Sequence, residues 1–442
     1  MTKKQDNPHY THRPYVRLNN PDWSRHAVIY QLNTRQFSPE GTFAAAQKHL
    51  SGIKNLGADI LWLMPIHPIG LKNRKGRLGS PYAVQDYYSI HPDLGGAADL
   101  KQFIREAHQL GLKVIIDWVA NHTAWDHVLV SQHPEWYARD WKGDFKPCQW
   151  LDWDDIIELD YRHTGLRQYM AEAMKFWIRE FDVDGFRADI AGFVPLDFWE
   201  QVREELEQIK PVFMLAEWES RDLHARAFDA SYAWSWWDAV HAVANGQTKD
   251  LTPLYIYYSF KERSYPKESM RMTFVTNHDK NAWEGTSREL FGDALEAVLT
   301  LGFIGDGIPL VYNGQEAGDP HQLAFFEKDL IRWTPHPHGA MLKKLIACKK
   351  DNPALWNGRW GGPMIQVSNT REEQVLSFLR KKEENRVFAA INFSGEPQEV
   401  HFHTRVHHGH YSDMDSGDIL HFADETSIRM APWQARVFTA QG

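Results

Sequence analysis

Short apolar segments alternate with amphipathic segments along the first 330 or so residues of the chain. Between the apolar segments, hydrophobic residues recur at helical spacing and predict helices, for example at 98–110 and 166–181. Gly111 follows the first of these, where helices commonly end on a glycine. Apolar runs rich in β-branched and aromatic residues predict strands at 27–32, 59–64, 113–118, 183–189, 212–217, 228–231, 272–276 and 309–312.

Eight strands alternating with helices predict an α/β fold, a (β/α)8 TIM barrel. An open doubly wound sheet is the alternative, but no Gly-x-Gly-x-x-Gly follows the first strand. The stretch 124–160 is too long for an ordinary connection and is rich in Trp and Asp. It predicts a small inserted domain, an excursion after strand three, between two parts of the barrel at 1–123 and 161–349.

The pattern changes near residue 350. Apolar and polar residues then alternate in short segments, separated by turn signals such as EEN, SGEP and DSGD. This alternation is typical of strands with one buried face. It predicts a C-terminal antiparallel β domain, a β-sandwich, over residues 350–442.

Composition limits the classes of partner that the protein is expected to bind. The formal net charge of −9 opposes a nucleic-acid partner, which requires clustered positive charge. No apolar run of about 18 residues predicts a membrane span. No signal peptide is visible, so a cytoplasmic location is expected, or secretion if the start has been engineered.

Two cysteines, Cys148 and Cys348, make neither a disulfide scaffold nor a metal cluster. The 19 Trp, 16 Tyr and 23 Phe slightly favour a heavily packed core, and a cleft whose aromatic faces stack on sugar rings is the alternative.

Polar residues stand where the predicted strands end, which is where the chemistry of such barrels is located. A single carboxylate at a strand end is as often structural as catalytic, and a lone histidine is more often structural. Carboxylates at four strand ends, most with Arg or His nearby, favour a catalytic site. The residues concerned are Asp117 with His122, Arg187 with Asp189, Glu217, and His278 with Asp279.

Arg187 and Asp189 share one strand face, so the arginine is expected to depress the pKa of Asp189, as suits a carboxylate nucleophile. Glu217 follows the apolar MLA, which is expected to raise its pKa and to favour a general acid. Glu219 lies on the same strand face as Glu217, so alternation of side chains cannot choose between them. We prefer Glu217 as the general acid because it directly follows the predicted strand. Two carboxylates in unlike environments are what glycoside hydrolysis requires.

Four short segments follow one another along the chain: DWVANHT (117–123), GFRADIAG (185–192), MLAE (214–217) and FVTNHD (274–279). They resemble, in the right order, the signature regions of the α-amylase superfamily, glycoside hydrolase family thirteen. Supporting resemblance lies in segments such as GADILWLMPIHPIG (57–70) and GIPLVYNGQE (307–316). The resemblance covers roughly residues 26–333, and four ordered motifs are far more specific than one.

The resemblance implies a role for each site residue. Asp189 would be the nucleophile, Glu217 the acid/base, and Asp279 the carboxylate that binds the 2- and 3-hydroxyls of the sugar at the cleavage point. The supporting residues would be Arg187, which orients Asp189; Tyr82, which stacks on that sugar, with Asp86 near it; His122 and His278, which bind its hydroxyls; and Asp117, which supports Arg187.

The chain departs from the family pattern after the nucleophile. Gly192 and Phe193 stand where α-amylases often have Lys-His, whose histidine carbonyl can bind calcium. Asn121 remains a possible ligand, but calcium takes about 6–8 oxygens. We therefore expect no required cofactor and no calcium at the usual place.

The resulting functional prediction is a retaining hydrolase that cleaves α-1,4-glucosidic bonds in malto-oligosaccharides or soluble starch. Within the same superfamily, an exo-acting α-glucosidase or an α-glucan transglycosylase stays open. A non-catalytic carbohydrate-binding barrel is the alternative from another class, but such a protein would lose the carboxylates that are present here.

Overall fold

The chain forms a closed parallel barrel followed by antiparallel sheets, and the computed structural model describes residues 13–147, 151–424 and 426–440. Cys148 lies outside these ranges, and Cys348 is a buried free thiol. The strands are β1 (Ile29–Leu32), β2 (Ile60–Leu63), β3 (Lys113–Trp118), β4 (His122–Ala124), β5 (Ile156–Glu158), β6 (Gly185–Ala188), β7 (Phe213–Ala216), β8 (Ala230–Tyr232), β9 (Met270–Thr273), β10 (Ile308–Tyr312), β11 (Met364–Gln366), β12 (Val375–Lys382), β13 (Asn385–Asn392), β14 (Gln398–His401), β15 (Gly409–Asp413), β16 (Ile419–Phe422), β17 (Ser427–Met430) and β18 (Ala435–Ala440).

Helices surround the barrel, and the two that were predicted at 98–110 and 166–181 are confirmed as α4 and α6 below. No helix in the described ranges is long and apolar enough to cross a membrane. The α-helices are α1 (Thr34–Phe37), α2 (Phe43–Gln47), α3 (Leu50–Leu56), α4 (Ala97–Gln109), α5 (Val128–Gln132), α6 (Thr164–Phe181), α7 (Leu196–Glu207), α8 (Trp234–Ala244), α9 (Thr252–Ile256), α10 (Ser287–Phe291), α11 (Leu295–Ile304) and α12 (Pro337–Asp351).

The barrel closes in the order β1-β10-β9-β8-β7-β6-β3-β2, and every predicted barrel strand overlaps one of these. The predicted fold class is therefore confirmed. Its strands are buried almost throughout because helices cover the outside, which explains their nearly continuous apolar runs. Gly185 begins β6 with a φ of +152°, and a Cβ there would lie 1.9 Å from the Phe213 carbonyl oxygen of β7. Only glycine fits this close approach of two strands.

Between β3 and β6 the chain leaves the barrel and forms a two-stranded antiparallel sheet from β4 and β5. This excursion also carries the short helix α5. Since β4 begins only four residues after β3 ends, the excursion stands at the carboxyl end of the barrel strands.

The C-terminal region forms a six-stranded sheet and a two-stranded sheet, all of whose paired strands are antiparallel. Val400 and Ile428 of the smaller sheet share a core with Phe388, Phe422 and Phe438 of the larger one. The predicted antiparallel β domain is therefore confirmed.

Candidate active site

Arg187 is the centre of the site at the carboxyl end of the barrel strands. Its guanidinium is fully buried, with Nη1 at 2.9 Å from both Asp117 Oδ1 and Asp189 Oδ1. Its Nη2 lies 2.9 Å from Glu217 Oε2, and the Tyr232 hydroxyl lies 3.2 Å from the same nitrogen. One arginine therefore gathers carboxylates from the ends of three neighbouring strands, β3, β6 and β7.

Asp117 fixes this arginine from below. Its position opposite Arg187 in the β3–β6 register brings the two side chains together on one face. Asp117 Oδ2 also accepts hydrogen bonds from Trp62 Nε1 and the Tyr82 hydroxyl, each at 3.0 Å. Burial raises the pKa of Asp117 to about 6 despite the arginine. The predicted supporting role for Asp117 agrees with these contacts.

The charge state of Asp189 differs from the sequence-based expectation. We predicted that Arg187 would depress its pKa. Instead burial, followed by the neighbouring Glu217, raises the pKa of Asp189 well above its usual value. The reason is that one guanidinium is shared among three buried carboxylates, which cannot all ionise without cost. Protons are therefore retained in this cluster to a higher pH than in an isolated pair.

The predicted apolar setting of Glu217 is wrong. Although the preceding residues are apolar, the Glu217 carboxylate contacts Arg187 and also accepts a 2.8 Å hydrogen bond from the backbone N–H of Ile190. Glu219, the other residue on this face, lies elsewhere, pairing with Arg271 and Ser235. The contacts therefore distinguish Glu217 from Glu219, which the alternation of side chains along a strand could not do.

Ile190 is held in an unusual backbone conformation between the nucleophile candidate and the acid candidate. Its φ of +35° places a β-branched residue in the left-handed region, which costs about 1–3 kcal/mol. The conformation directs its N–H at Glu217. Sequence reasoning missed this residue, since no residue pattern signals a strained non-glycine turn.

A hydrogen-bonded chain supports the opposite wall of the site. Gln31 Nε2 donates to His278 Nδ1 at 2.7 Å, which leaves the ring proton on Nε2. That nitrogen lies 2.7 Å from the Tyr82 hydroxyl and 3.2 Å from Asp279 Oδ2. Burial lowers the pKa of His278 to about 3, so the ring is neutral. Gln31 was missed, and its signal was a lone polar residue inside the apolar run AVIYQL.

Asp279 is the most open of the predicted catalytic carboxylates. About 34% of its side chain is exposed, against 9% for Asp189 and 13% for Glu217. Burial in the cleft nevertheless raises the pKa of Asp279 to about 6. His122 lies beside Asp189, with its Nε2 3.9 Å from Asp189 Oδ2. Burial lowers the pKa of His122 to about 4. Neutral histidines and open carboxylates suit hydrogen bonding to sugar hydroxyls.

Asp86 is not brought into this cluster. Its carboxylate accepts hydrogen bonds from the backbone N–H of Tyr88 at 3.0 Å and from the Ser89 hydroxyl, both in its own loop.

Asn121 was the one possible calcium ligand that the sequence offered. The Asn121 amide nitrogen lies 3.4 Å from His122 Nδ1, and Gly192 and Phe193 add no side-chain oxygen. No group of three or more His, Cys, Asp or Glu side chains in the described ranges could hold a metal ion. Calcium requires many more oxygen ligands than Asn121 supplies.

The departure at Gly192 and Phe193 has a structural cause. A Cβ on Gly192 would lie 2.1 Å from the ring of Trp218, the residue that follows Glu217. The Phe193 ring centroid lies 5.3 Å from that of Trp218, and Phe193 is 47% exposed. An aromatic pair thus borders the cleft beside the acid candidate. Trp218 was missed, although a tryptophan beside a strand-end glutamate is visible in the sequence.

Comparison with known proteins identifies the family of this chain. The sequence profile described as "Alpha amylase, catalytic domain" matches residues 19–374, and "Alpha amylase, C-terminal all-beta domain" matches 366–436. The chain is 28% identical over 406 residues to an alpha-amylase of Haloarcula japonica, covering 88% of this chain and 58% of that protein's length. The chain therefore spans less than two thirds of that relative.

Solved structures of alpha-amylases are similar to this chain over nearly its whole length. A maltogenic alpha-amylase of Thermotoga neapolitana superimposes with a TM-score of 0.85 at 30% identity, covering 94% of this chain and 98% of that one. An alpha-amylase of Lactobacillus plantarum gives the same TM-score and identity, with coverages of 95% and 100%. The catalytic profile alone spans well over half of the sequence. Together with the four ordered motifs and the carboxylates gathered at Arg187, this means that the chain belongs to the alpha-amylase family.

Proposed function

We propose that this protein is a retaining glycoside hydrolase that cleaves α-1,4-glucosidic bonds in malto-oligosaccharides or soluble starch. The observation that carries the proposal is the pairing of Asp189 and Glu217 on neighbouring nitrogens of one guanidinium. Retention requires two carboxyl groups only about 5–5.5 Å apart, and a shared guanidinium holds them side by side.

Each residue has a step in this mechanism. Asp189 attacks the anomeric carbon and forms a covalent glycosyl-enzyme intermediate, while Glu217 protonates the departing glycosidic oxygen. Glu217 then removes a proton from water, which attacks the same carbon and releases Asp189. Asp279, with neutral His122 and His278, holds the hydroxyls of the reacting sugar, and Tyr82 provides its stacking face.

The proton supply follows from the carboxylate cluster. Three carboxylates share Arg187, so a proton retained among them is available to the leaving oxygen before the cleavage step. Once Asp189 has formed its ester, its charge is gone. Glu217 can then carry the negative charge that a general base needs.

We propose endo cleavage as the mode of action, with exo-acting α-glucosidase or α-glucan transglycosylase action as the alternative. The relatives include a maltogenic alpha-amylase, a cyclomaltodextrinase and a maltosyltransferase, at 26%, 24% and 27% identity. The test is a time course with maltoheptaose. Internal fragments that appear early support endo cleavage, whereas glucose as the sole early product would support an α-glucosidase.

The nucleophile assignment has its own test. Asp189→Asn cannot form the ester, so turnover should fall on the order of 10⁴-fold or more. Asp86→Asn is the matched carboxylate control, because Asp86 is bonded within its own loop. A fall of similar size in both variants would contradict the assignment.

We also propose that catalysis proceeds without calcium and that the protein acts in the cytoplasm on oligosaccharides, with no nucleic-acid or membrane partner. The poor oxygen set around Asn121 supports the first point. Activity and melting temperature should be unchanged after treatment with EDTA, and a loss that calcium restores would contradict it.

A further inference from the structure

Gln31 is a polar side chain in the barrel wall beside the candidate active site. It is the third residue of β1 and is fully buried. Its amide makes two contacts with His278, which follows β9. The His278 backbone N–H donates to Gln31 Oε1 at 3.3 Å, and Gln31 Nε2 lies 2.7 Å from His278 Nδ1. One glutamine therefore holds both the main chain and the ring of one histidine.

The two contacts together fix which way the amide of Gln31 points. A backbone N–H can only donate, so the atom that it meets must be the amide oxygen. The amide nitrogen then faces Nδ1 of the ring, and since an NH₂ group can only donate, Nδ1 must be a bare acceptor. Burial lowers the pKa of His278 to about 3, so the ring carries a single proton at neutral pH. That proton is therefore on Nε2.

The protonated Nε2 of His278 faces two acceptors. The Tyr82 hydroxyl oxygen lies 2.7 Å from it and Asp279 Oδ2 lies 3.2 Å from it. Burial raises the pKa of Tyr82 well above its usual value, so the hydroxyl keeps its own proton. Because Nε2 is already protonated, the hydroxyl donates instead to Asp117 Oδ2 at 3.0 Å. The hydrogen bonds thus run in one direction, from β1 to Asp117.

The opposite proton position would disturb both ends of this chain of hydrogen bonds. A proton on Nδ1 would meet the NH₂ group of Gln31, donor against donor. A bare Nε2 would face the Asp279 carboxylate, acceptor against acceptor, and such unmade hydrogen bonds are costly when buried. Tyr82 would then donate to the ring, and Asp117 would lose a donor. Since Asp117 shares Arg187 with the nucleophile candidate, the change would reach the carboxylate cluster.

We propose that Gln31 is a positioning residue, which fixes the His278 proton on Nε2 and keeps that histidine a hydrogen-bond donor toward the reacting sugar. Gln31 is buried behind the ring and acts only through it. A sugar hydroxyl that binds between His278 and Asp279 meets one donor and one acceptor, as a hydroxyl group needs. The effect on the rate rests on the proposed function, whereas the position of the proton does not.

The proton position is measured directly by nitrogen NMR on protein that carries isotope-labelled histidine, without substrate. His278→Asn identifies the His278 signals by their disappearance. The unmodified protein should show a single form, with the proton on Nε2 and Nδ1 bare. Gln31→Met, which is similar in length but cannot donate, should show a mixture of both proton positions. Gln47→Met is the control, because Gln47 of α2 bonds to Glu106 of α4, and it should leave the His278 signals unchanged.

Kinetics with maltoheptaose separate a positioning role from a merely structural one. Gln31→Met should lower kcat/KM about 10- to 100-fold, the loss expected when a hydrogen bond to a reacting or charged group is removed. If Gln31 acts only through His278, its replacement should matter little once the ring is gone. Adding Gln31→Met to His278→Asn should therefore lower kcat/KM by less than about threefold beyond His278→Asn alone. Thermal melting checks that each variant is folded.

A proton on Nδ1 in the unmodified protein overturns the inference, and this measurement requires no variant to fold. A Gln31→Met protein that retains the single Nε2 form also overturns it, as does a loss in kcat/KM that multiplies with that of His278→Asn. The proposed function fails by a different result. If the unmodified protein leaves maltoheptaose uncut while the Nε2 proton depends on Gln31, the catalytic proposal is wrong and the control of the proton stands.

Discussion

Gly192 decides how closely Trp218 approaches the nucleophile loop. In Gly192→Ala the new methyl group would overlap the Trp218 ring, so that ring and the adjacent Glu217 must shift. Overpacking of this kind costs about 1–3 kcal/mol of stability. A displacement of about 1 Å at a catalytic group can lower turnover about 100-fold. We expect both losses, measured by thermal unfolding and by the rate on maltoheptaose.

Gly52→Ala is the control for this substitution. Gly52 lies within α3, and no atom stands within 4 Å of its added Cβ. In a helix interior, alanine is more stable than glycine by about 0.5–1 kcal/mol, so this variant should be as stable or more stable, with unchanged activity. A Gly192→Ala protein as active as Gly52→Ala would contradict the role given to Trp218.

The decline of activity at low pH also follows from individual residues. Burial raises the pKa of Asp279 to about 6, and it raises that of Asp189 as well. Both must be ionised to bind the hydroxyls and to attack, and each gains a proton as the pH falls. We therefore expect kcat/KM to decline below about pH 6, measured with maltoheptaose over pH 4–8. A rate that stays constant down to pH 4.5 would contradict this.

At the scale of elements, Asp184 ties α4 to the start of β3. Its carboxylate, 1% exposed, accepts from the Val114 N–H at 2.9 Å and pairs with His108, Lys113 and Lys210. Burial alone would raise its pKa, but these partners outweigh burial and lower the pKa to about 2. A carboxyl with a depressed pKa stabilises the fold above its unfolded pKa of about 3.9, and that stability is lost as the pH falls toward 2.

Asp184→Asn should therefore lower the free energy of unfolding by about 2 kcal/mol at pH 7, with the difference shrinking toward zero near pH 2. Denaturant unfolding at several pH values measures it. Asp182→Asn is the control, because its carboxylate is 67% exposed although it also pairs with Lys210. A loss at pH 7 that persists unchanged at pH 2 would show that packing, and not charge, is responsible.

The sequence was most informative about the secondary-structure elements and the residues at their ends. The barrel strands are buried on both faces, so their apolar runs mark them without tertiary information, and chemistry gathers at their ends. Arg187, Asp189, Asp117 and Glu217 could therefore be placed together. Their electrostatics could not, because the pKa of Asp189 depends on how many carboxylates share one arginine. Trp218 likewise acquires its role only through a neighbour in space.

At the scale of the whole molecule, the C-terminal domain is attached through buried charge. Arg380 of β12 is fully buried, and its Nε donates to the Gly362 carbonyl at 2.8 Å. Its other nitrogens reach the barrel, where they contact the Gly305 carbonyl and, at 3.3 Å, Asp306 Oδ1. Removing this side chain takes the arginine's hydrogen bond from the Gly305 carbonyl and its ion pair from the Asp306 carboxylate, which is 30% exposed.

Arg380→Met retains much of the side-chain volume but removes every one of these hydrogen bonds. Breaking a fully buried charged pair costs about 3–5 kcal/mol. Because the Asp306 side chain is 30% exposed, we expect a smaller loss, about 1–3 kcal/mol, in the free energy of unfolding. We also expect the C-terminal domain to unfold before the barrel, which calorimetry would show as two separate transitions. Arg405→Met is the control, since its ion pair with Asp424 is 78% exposed on the arginine side and should contribute little. A single transition in Arg380→Met at the unmodified temperature would mean that Arg380 is not needed to hold the two domains together.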